Sequence, residues 1–533
     1  MNQVEVKRKQ LQLCAWALGL MIIWILGKSI GDEGVAFLVA ALESVCIFWA
    51  LSSAQVADTL GRMLRGRSAR GQYKNAEKLK SSVFIFQGIL GFLGSILVAG
   101  LAPLLAERVF QVPYSKVMIY ILAPTVFLRT ISALLAGVFQ GRGSELPSVV
   151  SRVLRQLLLL SSGYLFGKML ADYGWKVSML LGKESFTFMY GGMGVALGIL
   201  LAELLVVVFL LLIYKGGRKY NPKQENEGVK NTDSFMGQIF AFYSSCGAWM
   251  LCGLLALFPF VAGLWCYQKN VPDVSLSLSD YGVYCGQYLV FCGVVALVIA
   301  ALSLPGAVKV SAFLRKEENR YARMGFQSGL KGIWVHGLFF AVITAILSEQ
   351  LANVFGDNGI RELARMLRMG SAIIVLLPIC FYCFTILKLL GKKLVVLVSM
   401  LVCNIVFVVS LNLWLAGQCG IRALVYAGVL ASAVLALGLL LLTLGILRMG
   451  LDWIRVLAIP MGSACICGLV GYLLAKALMS HMGSMVTFIV IFVLSVLLYW
   501  IALFLLRCFS EQELSFVPGG RFLRVLGRMF RMF

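Results

Sequence analysis

The feature that most constrains this chain is a succession of continuous apolar runs between residues 11 and 507. A membrane-crossing helix needs about 20 predominantly apolar residues. Fourteen segments qualify: 10–28, 35–61, 81–106, 115–140, 147–170, 189–214, 236–267, 282–308, 328–352, 367–389, 393–416, 422–447, 454–478 and 484–507. Inside a bilayer the backbone must satisfy its own hydrogen bonds, and these runs are continuous rather than alternating. Helices are therefore expected, not a barrel. The chain is 60% hydrophobic and 13% charged, about half the charged fraction of a soluble domain. The expected fold class is an all-α polytopic membrane protein with about 14 transmembrane helices.

The net charge of +23 does not indicate nucleic acid, because it is distributed loop by loop. Placing Lys7, Arg8 and Lys9 in the cytoplasm puts 34 of the 47 Lys and Arg residues on that side and 12 on the other. Arg129 alone then remains within the membrane. Acidic residues split almost evenly, 11 inside and 10 outside. Orientation follows Lys and Arg in short loops, so both termini and the 215–235 linker are expected to be cytoplasmic. The basic elbow at 65–80 is expected on the anionic inner leaflet. In the tail, Arg521, Arg524, Arg528 and Arg531 recur at helical spacing opposite Phe522, Val525, Leu526 and Met529. That is the pattern of an interfacial helix.

An internal repeat organises the runs. The segment 129–156 ends one apolar helix, turns at Gln140-Gly141-Arg142-Gly143-Ser144, and starts another around Pro147. Glycine permits the reversal, and proline suits a first helical turn. About 250 residues later, Pro378 precedes Gly391-Lys392-Lys393 as Pro124 precedes Gly141. Leu105-Ala106 and Leu351-Ala352 repeat at a similar shift. The halves therefore read as parallel duplicates of six helices each. The expected organisation is a lobe at 1–214, a linker at 215–235, a second lobe at 236–448, two extra helices at 449–510 and a basic tail at 511–533.

Few residues stand out against the apolar background. Arg129 lies mid-span, and an arginine there needs a wet cavity or a carboxylate. Glu43 and Glu203 are the carboxylates well inside apolar helices, so each is a candidate partner or proton carrier. Lys28, Tyr284 and Gln287 complete the candidate cavity set. Gln140, Gly141 and Arg142 at the turn, with Pro259 and Pro305 inside helices, are the gate and turn candidates. Gly194, Gly198 and Ala202 share a helix face that allows close packing. Cys380-x-x-Cys383 has redox spacing but sits mid-helix among Ile379, Phe381 and Tyr382. The two histidines, His336 and His481, form no metal pattern, so neither a metal nor a cofactor is expected.

The order of these features resembles the multidrug/oligosaccharidyl-lipid/polysaccharide exporter superfamily. It is most similar to the polysaccharide-transporter branch of stage V sporulation protein B-like proteins, and more distantly to MurJ-type lipid II flippases. The segments that carry the likeness are 31–43, 69–84, 136–156, 192–205 and 391–393 followed by 420–432; it covers roughly residues 10–510. The resemblance implies two pseudo-symmetric, MATE-like six-helix lobes plus two extra helices in a bacterial plasma membrane. It implies alternating access for a polyprenyl-pyrophosphate-linked saccharide, with a proton or sodium ion as the coupling ion. Lipid II flippases carry several cavity arginines, whereas helix 1 here offers only Lys28 and helices 7 and 8 offer none. That departure leaves the cargo glycan open. A multidrug/cation antiporter of the same fold, or a non-transporting scaffold in envelope assembly, are the alternatives. The longest polar loops, 62–80 and 215–235, are basic and lack a paired-carboxylate site, which argues against a membrane glycosyltransferase.

Overall fold

The structure is a computed structural model that describes residues 3–218, 234–270, 274–356, 359–478, 484–506 and 508. Most of the linker, His481 and the amphipathic tail lie outside the described residues. The described residues form helices and turns, with no strand among them.

The first part of the chain builds α1 (Gln3–Ser52), α2 (Val56–Ser68), α3 (Tyr73–Pro103), α4 (Ser115–Leu122), α5 (Pro124–Gly141), α6 (Leu146–Leu181), α7 (Ser185–Arg218) and α8 (Phe235–Asn270). Then follow α9 (Val274–Val283), α10 (Leu289–Arg315), α11 (Asn319–Ile346), α12 (Ser348–Phe355), α13 (Ile360–Gly370) and α14 (Ile373–Leu389). The last four are α15 (Lys393–Ala416), α16 (Arg422–Leu447), α17 (Ile459–Leu478) and α18 (Ser484–Leu505). Short π-helical turns lie at Leu104–Val109, Tyr284–Tyr288 and Ile454–Ala458.

Among the described residues, twelve helical stretches are long and apolar enough to cross a membrane, or thirteen if α13 and α14, bent by 49°, form one span. The first stretch runs 63 residues, Val6–Ser68. At 1.5 Å per residue it is about 95 Å long, roughly three times the hydrocarbon core. It accommodates both apolar segments 10–28 and 35–61. The interval between those segments holds a kink at one residue, Gly31, with φ 73° and ψ 165°. Only glycine adopts such a backbone readily, so α1 changes direction without a loop. The expected turn at Gln140–Ser144 is present. Gly143 takes φ 82° there, and Pro147 stands in the first turn of α6.

The chain resolves into two compact units, one of residues 22–282 and one of residues 1–21 with 283–533. This division differs from the lobes expected at 1–214 and 236–448: α8 groups with the first unit and the start of α1 with the second. Within the second unit, Leu13 packs with Ala300 and Ala301, and Gln10 Nε2 donates to the Ala301 carbonyl at 3.0 Å.

The duplication is visible in hydrogen bonds. In one unit Arg65, in the last turn of α2, donates to the carbonyl of Gln140 near the end of α5 at 2.7 Å. In the other, Arg315, the last residue of α10, donates to the carbonyl of Leu389, the last residue of α14. The donors stand 250 positions apart and the acceptors 249. Helix α11 supplies two more bonds from a cation to a main-chain carbonyl. Arg323 Nε reaches the Leu447 carbonyl at 2.9 Å, and Lys331 Nζ reaches the Cys508 carbonyl at 2.5 Å. Helix C-termini expose unpaired carbonyls and partial negative charge, which cations satisfy. Part of the basic excess read from the loops is therefore spent on capping helices.

Candidate functional site

Three helices of the first unit converge on one carboxylate. Glu203 of α7 is 1% exposed. Arg129 of α5 donates from Nε to Glu203 Oε1 at 2.6 Å. Arg155 of α6 holds the same carboxylate from Nε at 3.0 Å and reaches Ser132 Oγ at 3.3 Å. The Arg129 guanidinium lies 3.4 Å from the centroid of the Trp49 ring, and Trp49 Nε1 donates to Thr125 Oγ1 at 3.2 Å. A carboxylate buried this deeply is costly unless paired; two guanidiniums pair it and leave one positive charge over. Arg129 and Arg155 keep 29% and 22% of their side-chain surface exposed. Neither arginine side chain is fully closed off.

Packing explains why these residues meet. A Cβ on Gly194 would lie 2.2 Å from the Phe166 carbonyl oxygen, and one on Gly198 2.5 Å from Gly163 Cα. The small face expected on this helix therefore lies backbone to backbone against α6. Ser162 Oγ donates across the crossing to the Gly198 carbonyl at 3.0 Å. The helices run antiparallel, so Arg155 before Ser162 meets Glu203 after Gly198. The sequence analysis singled out Arg129; the structure brings Arg155 to the same carboxylate. Because α6 starts at Leu146, Arg155 sits more than two turns inside it. Its spacing from Leu146 was the signal available.

Glu43 is 7% exposed and accepts from the Tyr281 hydroxyl at 2.7 Å through Oε1. Its Oε2 is buried without a hydrogen-bond partner. A close approach fixes this part of α1: a Cβ on Gly282 would come within 1.9 Å of the Asp32 carbonyl oxygen. Lys28 is exposed, with Nζ 4.8 Å from the Trp24 ring centroid; it does not join Glu203.

Tyr284 and Gln287 belong to the second unit, on the π-helical turn before α10. Tyr284 stacks on Tyr288 at 5.6 Å. The Tyr288 hydroxyl donates to the Gly370 carbonyl at 3.2 Å, and a Cβ on Gly356 would meet Gln287 Oε1 at 3.3 Å. These side chains form a packed layer against α12 and α13.

The turn candidates also sit in tight packing. Gln140 is 1% exposed and donates to Ser148 Oγ at 3.0 Å. A Cβ on Gly141 would lie 2.7 Å from Leu64 Cβ, and one on Gly61 2.8 Å from Gln140 Cβ. Arg142 lies over the Tyr214 ring at 5.3 Å. Pro259 and Pro305 are half-buried within α8 and α10, which run through them unbroken. The break in a crossing falls instead at Ser52–Gln55, between α1 and α2, where Gln55 takes φ 65°. Gln87 Nε2 donates to the Ser52 carbonyl there, and the Tyr243 hydroxyl donates to Gln87 Oε1. No proline or glycine marks this break in the sequence.

Lys331 is 1% exposed within α11. Cys380 and Cys383 are buried. No group of three or more His, Cys, Asp and Glu residues among the described residues could hold a metal.

The fold and the charged cluster inside its helices define a class: a polytopic membrane protein of two compact helical units. Solved membrane transporters share this fold. A solved MATE-family multidrug resistance transporter in the inward-facing conformation matches 83% of this chain and 95% of its own, with a TM-score of 0.61 and 13% identity. The lipid II flippase MurJ in an inward closed conformation matches 94% of this chain and 97% of its own, with a TM-score of 0.61 and 12% identity. The stage V sporulation protein B of Bacillus subtilis (strain 168) is 19% identical over 346 residues, 64% of this chain. The chain spans 64% of the length of that curated relative. No family model matches.

Proposed function

We propose that this chain is a transporter that moves a lipid-linked saccharide between membrane leaflets by alternating access. The observation that carries this reading is the Arg129–Glu203–Arg155 cluster. Glu203 fixes the orientation of both arginines, the cluster retains one positive charge, and both guanidiniums stay partly exposed. Preoriented guanidiniums suit the phosphate that links a polyprenyl chain to a sugar, because they offer planar paired donors. The fold shared with a lipid II flippase supports the same class of cargo. Glu43, buried with one oxygen unpartnered, is the proposed carrier for a coupling proton or sodium ion. The proposed setting is a bacterial plasma membrane with both termini cytoplasmic, which the Lys and Arg bias supports.

The test is flipping of a fluorescent polyprenyl-phosphate-linked saccharide in liposomes, with folded yield measured on the same preparations. Arg129→Ala leaves Arg155 to compensate Glu203, so it is expected to fold. Losing a charge-assisted hydrogen bond to the headgroup should slow flipping by about 10- to 100-fold. Wild-type flipping by folded Arg129→Ala protein would remove the cluster from the mechanism.

A further inference from the structure

Helix α13 is short, sharply two-faced and set at 49° to α14. Leu363, Ala364, Met366 and Leu367 are buried, packed against the protein. Arg361, Arg365 and Arg368 recur at i, i+4 and i+7, so they share the opposite, exposed face. Arg422, the first residue of α16, joins them. Its Nε and Nη2 reach the two oxygens of Glu362 at 3.1 and 3.0 Å, and Arg365 Nη1 reaches the same carboxylate at 2.6 Å. Arg368 Nη2 reaches Glu349 at 2.8 Å. Three arginines thus pair with two carboxylates, and with Arg361 the surface carries a formal charge of +2. Arg361 has no acidic partner among the described residues. The side chains of Arg365 and Arg368 remain 51% and 55% exposed while paired.

A second observation sets the depth of this surface. Trp414, near the end of α15, and Tyr426, in the second turn of α16, have ring centroids 5.4 Å apart. The Tyr426 hydroxyl meets the sulfur of Met369 on α13 at 2.8 Å. Tryptophan and tyrosine collect at the headgroup level of a bilayer, so this pair places α13 where a membrane turns to water. The exposed apolar residues Ile360 (36%) and Met369 (46%) flank the arginines. An amphipathic helix with a basic face at this level meets phosphate rather than hydrocarbon.

We infer that the arginine face of α13, with Arg422, is a docking surface for the headgroups of anionic phospholipids. The occupant is fixed by charge complementarity: a +2 surface of preoriented guanidiniums at headgroup depth matches lipid phosphates carrying net negative charge. Glu362 holds Arg365 and Arg422 together on this surface. The surface lies in the second unit, away from Glu203 in the chain, and does not depend on what the protein carries.

The full-length protein in micelles with spin-labelled phosphatidylglycerol or phosphatidylcholine tests this. The readout is quenching of Trp414 fluorescence, taken as the part missing from a Trp414→Phe protein. Wild type should prefer the anionic lipid. Each basic residue near a charged surface is worth about 1 kcal/mol, roughly five-fold in affinity. Arg361→Gln, which breaks no ion pair, should lower the preference by about that factor, while Arg361→Lys should keep it. Arg361→Gln with Arg368→Gln should lower it further. A folded Arg361→Gln protein with the wild-type lipid preference overturns the inference. So does millimolar inorganic phosphate abolishing the preference, since the surface would then be a site for the free anion.

Discussion

Arg129 and Glu203 are joined at 2.6 Å across two helices, and the carboxylate is all but closed to solvent while the guanidinium is not. The asymmetry makes the two ends of this bond answer differently to substitution.

Glu203→Gln leaves two guanidiniums facing each other without their counter-charge. Breaking a buried pair by removing one partner costs about 3–5 kcal/mol, so the melting temperature should fall steeply. Adding Arg155→Gln to Glu203→Gln should restore part of the loss, because like charges are relieved. Arg129→Ala alone should melt closer to wild type. Equal losses for Glu203→Gln and Arg129→Ala would show that Arg155 does not compensate the carboxylate.

Gly198→Ala tests the helix crossing that positions the cluster. Its Cβ would press on the Gly163 backbone at 2.5 Å, and overpacking of this kind costs about 1–3 kcal/mol. Gly247, in α8, has nothing within 4 Å of an added Cβ, so Gly247→Ala is the matched control and should be neutral or mildly stabilising. Thermal melting of the two proteins in one detergent gives the comparison.

Arg65→Ala and Arg315→Ala probe the repeated cap. Each should lower stability by about 0.5–2 kcal/mol, as expected for a cation at a helix C-terminus. Arg65→Ala should cost more, because Arg65 also pairs at 3.1 Å with Glu145, which is 7% exposed. The two losses should add, since the caps lie in separate units. A double variant no worse than either single one would contradict independent caps.

A single cysteine at position 225 in a cysteine-free protein reports the side on which the linker lies. The Lys and Arg bias predicts labelling only after cells are opened. Labelling of intact cells by an impermeant reagent would reverse the proposed topology.

The sequence makes some of this readable and hides the rest for physical reasons. The Gln140–Ser144 turn and the small face on α7 announce themselves, because glycine and proline act locally. The apolar runs do too, since burial in lipid demands length. The 250-residue repeat was legible in turns and helix ends, and its clearest sign, Arg65 with Gln140 and Arg315 with Leu389, needed coordinates. Arg155 and Lys331 do not stand out in the sequence, because a helix can carry a basic residue several turns inward when a carboxylate or a carbonyl awaits it. That partner is distant in sequence. The break at Ser52–Gln55 is held by Gln87, 35 residues away, so no local pattern marks it.

In the proposed transport cycle, the positive charge left over at Glu203 would make the cluster responsive to voltage. A charge moved across the full field of a membrane gains or loses about 2.3 kcal/mol per 100 mV. Empty, the cluster carries +1 by formal count; holding a monoanionic phosphate it is electrically silent, and holding a doubly charged diphosphate its sign reverses. The membrane potential would then act in opposite directions on the empty and the diphosphate-loaded site, and not at all on the site that holds a monoanion.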